Sequence, residues 1–140
     1  MPENPFRTEI RNRILSALSR TDFALLQPHL VPVDLPVETQ LETGNSRIDH
    51  VYFLERGFAS VVADGRGKRS IEVGIIGREG MTGLAVVTGH DRAAHDTYIQ
   101  VAGAGRRISA GKLRWAMDQS VHLHWSLLRC VHAFLIQTAQ

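Results

Sequence analysis

The chain has 140 residues, 44% hydrophobic and 21% charged, with a formal net charge of +2. That composition suits one compact domain burying roughly two-thirds of its unfolded surface, and it gives no strong electrostatic case for nucleic acid. No apolar run approaches the ~18 residues of a membrane span and residues 1–9 lack a signal-peptide profile, so a cytoplasmic protein with no membrane partner is expected.

In chain order, a helical segment comes first. Ile10, Ile14, Leu15 and Leu18 form an apolar stripe at helical spacing, with Arg11, Asn12 and Arg13 beside it. Those arginines read as a solvated face, because Glu9 and Asp22 dilute the charge. Ser19 or Thr21 can cap a second short helix carrying Phe23, Leu25 and Leu26, which Pro28 helps to end.

From Leu30 the texture changes to short strands. Pro32 and Pro36 put the 30–36 segment at a sheet edge or strand margin. Residues 40–42 make another short piece and residues 43–46 a turn. Segments 50–54 and 58–62 follow, separated by Glu55-Arg56-Gly57, and Asp64-Gly65-Arg66-Gly67 reads as a hairpin turn into a strand over 69–76. Residues 96–101 and 106–108 are the last strand segments. Many short strands at intervals of roughly 8–12 residues signal a sandwich or barrel.

Glycines at 74, 77, 80 and 83 recur every third residue. A helix interior would lose about 0.5–1 kcal/mol at each relative to Ala. The spacing suits a backbone that turns tightly and points N–H groups at an anion or small ligand, or a barrel corner that serves geometry alone.

Beyond Ser109, which can serve as an N-cap, Leu113, Ala116 and Met117 line a short helix, and Ser120 can cap the next. From 121 onward two apolar stripes run side by side. One passes through Val121, Leu128, Val131 and Leu135, with His124 and Thr138 in register; the other through Leu123, Leu127, Cys130 and Phe134. A helix apolar on two faces calls for two partners, its own barrel and a second chain.

This order of elements resembles the effector domain of Crp/Fnr-type bacterial transcription regulators. The phrase Ile48-Asp49-His50-Val51-Tyr52-Phe53 with Gly57 is similar to that family's early strand pair, and Val73-Gly74-Ile75-Ile76-Gly77-Arg78-Glu79-Gly80-Met81-Thr82-Gly83-Leu84 to a cassette of one of its branches. The likeness runs from about Asn12 to Gln140. It implies one domain, mainly β with flanking helices. Residues 1–29 would be N-terminal helices, 30–108 a cupin-like double-stranded β-helix or jelly roll, and 109–140 C-terminal helices ending in a long dimerisation helix. It also implies a ligand site at Gly77, Arg78, Glu79, Gly80, Met81, Gly83, Leu84, His95, Asp96 and Thr97, and a homodimer seam at Val121, His124, Leu128, Val131 and Leu135.

Two departures qualify the likeness. Cyclic-nucleotide binders of the family carry a Glu for the ribose and an Arg for the cyclic phosphate. Here the cassette reads Gly83-Leu84-Ala85, and His95-Asp96-Thr97 stands where Arg-Ser-Ala would. Losing a charge-assisted pair costs on the order of 1.5–3 kcal/mol, so cyclic AMP is not the expected ligand. Full-length relatives continue into a helix-turn-helix domain, and nothing up to Gln140 supplies a recognition helix. A sensing and dimerisation module without direct DNA binding is therefore expected, able to form heterodimers with full-length relatives. The alternatives are a cyclic nucleotide-binding domain with a degenerate cassette and a cupin-type metalloenzyme.

No catalytic residue and no metal site are expected. The only His-x-His pair, His122 and His124, does not share a helical face. No nucleophile elbow or phosphate loop is present, and the lone Cys130 excludes a disulfide or a four-cysteine cluster. No cofactor is expected beyond a small-molecule effector, and a haem on a single His stays open.

Overall fold

The computed structural model describes residues 10–63 and 71–139. Three helical pieces open it: α1 (Arg13–Ala17), α2 (Arg20–Leu26) and a 3-10 turn at Gln27–His29. Of the two residues the sequence offered as caps, Ser19 takes the role, its hydroxyl accepting from the Asp22 N–H. Ile10, Ile14, Leu15 and Leu18 are all buried, as their spacing predicts.

Strands β1 (Val31–Leu35), β2 (Gln40–Glu42), β3 (His50–Ala63), β4 (Ile71–Ile76) and β5 (Asp96–Ser109) form one antiparallel sheet. Its order is β1-β5-β3-β4, with β2 also on β5. Strand β1 lies at the edge, where Pro32 leaves no central ladder incomplete, and Pro36 follows its end. The predicted turn at Asp64–Gly67 lies outside the described residues.

Strands β3 and β5 correct the sequence reading, which split each in two. They pair along almost their whole length, from His50 opposite Ser109 to Val62 opposite Asp96. Register shifts between Leu54 and Ala59 absorb Glu55-Arg56-Gly57 as bulges, with Gly57 at φ 75°. Turn-like residues thus bend a continuous strand instead of ending it.

One core group, including Leu15, Leu26, Val51, Phe53, Met81, Leu113, Leu123 and Leu127, lies beneath the helices. A second, Leu35, Leu41, Leu54, Ala59, Val61, Ile76 and Ile99, fills the coiled sheet. Helix α3 (Leu84–Val87) follows the Gly-rich stretch, and α4 (Ala110–Gln119) and α5 (Val121–Thr138) close the chain. Ser109 and Ser120 cap α4 and α5 as expected.

Asn12 ties these parts together. It is fully buried and caps α1, its Oδ1 accepting from the N–H groups of Ile14 and Leu15 at 3.0 and 3.2 Å. Its Nδ2 donates to the carbonyls of Leu54 in β3 and Gly80 in the cassette, at 2.8 and 2.9 Å. Asn12→Ala should cost about 2–4 kcal/mol of unfolding free energy, combining a lost cap with stranded buried carbonyls. Asn12→Asp keeps the acceptor but not the donors, so urea titration should find it destabilised as well; a neutral Asn12→Asp would show the donor bonds to be unimportant.

Candidate functional site

The Gly-rich stretch leaves β4 and enters a turn in which the Gly80 N–H donates to the Gly77 carbonyl at 3.0 Å. The Arg78 carbonyl accepts from the Arg13 N–H at 2.8 Å. The stretch then docks on β3: the Thr82 N–H donates to the Tyr52 carbonyl, and the Tyr52 N–H to the Thr82 hydroxyl, both at 2.9 Å. Many of its polar groups therefore serve to seat the turn. Arg78 and Glu79 approach only to 3.9 Å on an exposed face, a contact worth little.

Between this turn, β4 and the C-terminal half of α5 lies a cleft of about 270 Å³. Ile75, Ile76, Met81, Leu84, Ala133 and Phe134 give it apolar walls, and Glu79, Arg129, Cys130 and Gln137 supply its polar and thiol atoms. The far end of α5 closes it. The Phe134 ring sits so near Gly74 that a Cβ there would come within 2.7 Å of it, which is why β4 carries a glycine. Gln137 Oε1 accepts from the Ile75 N–H at 3.0 Å. Burial pushes the Cys130 thiol up, which makes it a poor nucleophile.

The ten residues predicted to bind ligand divide into groups. Gly77, Glu79, Gly80, Met81 and Leu84 border this cleft, while Arg78 lies beside it on the exposed turn. Gly83 and Thr97 instead meet at the carboxylate of Glu42, which burial pushes up from its ordinary value while hydrogen bonds from Thr97 and Gly83 pull it down. Asp96, the first residue of β5, accepts from the Gly44 N–H at 2.7 Å, and His95 lies immediately before the strand. Arg92, the nearest cation in sequence, donates to the Asn45 carbonyl at 2.8 Å. Glu42 had no sequence signal, since its surroundings come from segments about forty and more residues away.

Helix α5 presents its two faces as the stripes suggest, but rotated. Leu123 and Leu127 are fully buried, and Cys130 and Phe134 half-buried, against the domain. Of the predicted dimer residues, Val121 and Leu135 are exposed, at 72% and 58%. Leu128 and Val131 are half-buried against the domain's own core, and His124 Nε2 donates to the Val87 carbonyl at 2.8 Å. Trp125 at 60% and Ile136 at 50% complete the outward apolar face. The sequence reading passed over both.

The start of α5 is bonded across the chain. The Ser120 hydroxyl donates to Asp22 Oδ1 at 2.7 Å, and His122 Nδ1 lies 2.6 Å from Asp22 Oδ2. Burial raises the Asp22 pKa, but the bonds from His122, Ser120 and Ser19 and the His122 charge outweigh it, and the net shift is downward. Among the described residues no group of three His, Cys, Asp or Glu side chains could hold a metal ion. No helix there is long and apolar enough to cross a membrane.

No family model and no curated protein matches this chain. Solved structures do match. A cyclic nucleotide-binding domain from Methylobacillus flagellatus superposes with a TM-score of 0.71 at 15% identity, over 94% of this chain and 76% of that one. The c-di-GMP responsive global regulator CLP of Xanthomonas campestris gives 0.70 at 14%, over 86% and 61%. The sensor domain of the transcriptional regulator DNR from Pseudomonas aeruginosa gives 0.69 at 12%, over 91% of each. The chain has the jelly-roll fold of cyclic nucleotide-binding domains, the fold implied by the resemblance to Crp/Fnr effector domains. It spans about three-fifths of the CLP chain.

A carboxylate with a depressed folded-state pKa stabilises above its ordinary value, here 3.8, and loses that contribution as pH falls through the folded value. Asp22→Asn should cost about 1–3 kcal/mol at neutral pH, with the gap to wild type narrowing below about pH 4. Urea midpoints measured down to about pH 2 check this; a gap that stays constant would show that the carboxylate charge contributes nothing.

Proposed function

We propose that this chain is the effector-sensing and dimerisation domain of a Crp/Fnr-type transcription regulator, taking a small, mainly apolar effector other than cyclic AMP. The observation that carries this reading is the two-faced α5. Its inner face walls the cleft beside the cassette, and its outer face leaves Val121, Trp125, Leu135 and Ile136 in solvent. A ligand in the cleft would press on the helix that carries the seam.

Several features support a ligand other than cyclic AMP. Leu84 brings an apolar side chain to the cleft where the family's nucleotide binders place a carboxylate. The 95–97 segment carries no arginine or lysine, and its Asp96 and Thr97 are engaged by Gly44 and Glu42. Sensing, not catalysis, also fits the two neighbouring histidines of α5, which go to separate partners, His122 to Asp22 and His124 to Val87.

The seam of this homodimer is the rotated face, Val121, Trp125, Leu135 and Ile136, with Leu128 at its margin and two copies of α5 parallel about a two-fold axis. An apolar helix face of this kind is poorly tolerated in a monomer. Light scattering should give twice the chain mass of 15.6 kDa. Trp125→Glu with Leu135→Glu, both outside the monomer core, should give the single mass without loss of helicity. A parent that is monomeric at tens of micromolar, or a double variant that stays dimeric, would end this reading.

A further inference from the structure

Glu42 ends β2 beside the start of β5. Its carboxylate accepts the Thr97 hydroxyl at 3.0 Å and the backbone N–H of Gly83. Thr97 is fully buried and Glu42 partly so. Three segments distant in sequence thus converge on one acceptor. The polar cavity of about 200 Å³ that Glu42 borders is also lined by Arg47, Asp49 and His50, yet among the described residues Glu42 makes no ion pair. A carboxylate held without a counter-ion is compensated by its hydrogen-bond donors alone.

We propose that Glu42 is a specificity-determining residue: it is the chain's own occupant of the Gly83 and Thr97 donors, and it keeps an external anion away from this side of the cassette. An incoming carboxylate or phosphate would meet donors already spent and a negative charge at contact distance. A ligand is thereby directed to the apolar cleft under α5. This rests on the sensing reading for its purpose, while the contact itself does not depend on it.

Chemical rescue tests the assignment. Glu42→Ala empties the position and should lower Tm. Sodium formate should raise the variant's Tm with increasing concentration, while sodium chloride at equal ionic strength does not, and the wild type should respond to the two salts alike. Glu42→Gln keeps an acceptor oxygen and should need no rescue. An alanine variant that formate stabilises no more than wild type overturns the proposal. Should that variant fail to fold, the Gly83 amide decides by nuclear magnetic resonance. In wild type its resonance should follow a titration centred above the ordinary Glu value, absent in Glu42→Gln; an amide that ignores pH equally in both overturns it. None of these readouts requires a dimer or a ligand in the cleft, so they separate failure here from failure of the sensing reading.

Discussion

One buried primary amide fixes the geometry on which the rest depends. Asn12 uses its oxygen on the first turn of α1 and its nitrogen on the carbonyls of Leu54 and Gly80. A helix start, the bend of a long strand and the Gly-rich turn therefore share one fixed point. Buried donors and acceptors left unmatched are expensive, so the three segments hold their relative positions together. Next to it, Glu55 receives the Arg11 N–H at 2.7 Å and lies 3.2 Å from the Arg106 guanidinium, which brackets the same bend from the other side.

With the turn so placed, α5 is held at two ends that differ in kind. Its start is bonded through Ser120 and His122 to the buried Asp22. Its far end rests on β4 through a ring against a glycine and one side-chain hydrogen bond at Gln137. The cleft lies toward the second, lighter attachment. Local stability is not uniform across a fold, and the end with fewer buried bonds is the one a ligand can displace at least cost. Displacement there would re-aim Leu135 and Ile136, while Val121 and Trp125 stay close to the bonded end.

What the sequence shows depends on how local the physics is. Caps and edges are local: Ser19, Ser109, Ser120 and Pro32 of β1 do what their types favour near their own backbone. The apolar stripe of α1 was equally plain. The continuity of β3 and β5 was not, because Gly57, Gly103 and Gly105 look like turn residues. A Cβ at 103 or 105 would strike the carbonyls of Arg56 or Phe53, so these glycines let two strands run close. Asn12 looks like any polar residue beside a stripe; only Leu54 and Gly80, 42 and 68 residues away, give it its role. Glu42 is the same case. On α5 two stripes one step apart are indistinguishable by period, and packing alone decides that Leu128 and Val131 turn inward while Trp125 turns out.

The central claim, that α5 lies with one face on its own domain and the other on its twin, can be tested by distance. With Cys130 replaced by Ser, single spin labels placed at exposed position 119, just ahead of α5, and, separately, at exposed position 139, just after it, report on opposite ends of the helix and leave the seam and the Asp22 anchor intact. A parallel two-fold pair brings each label near its own copy, so pulsed electron resonance should find a short inter-chain distance at both positions. A long distance at both ends would mean antiparallel helices, and no inter-chain distance at either would mean that the apolar face has no second copy upon it; each would contradict the account.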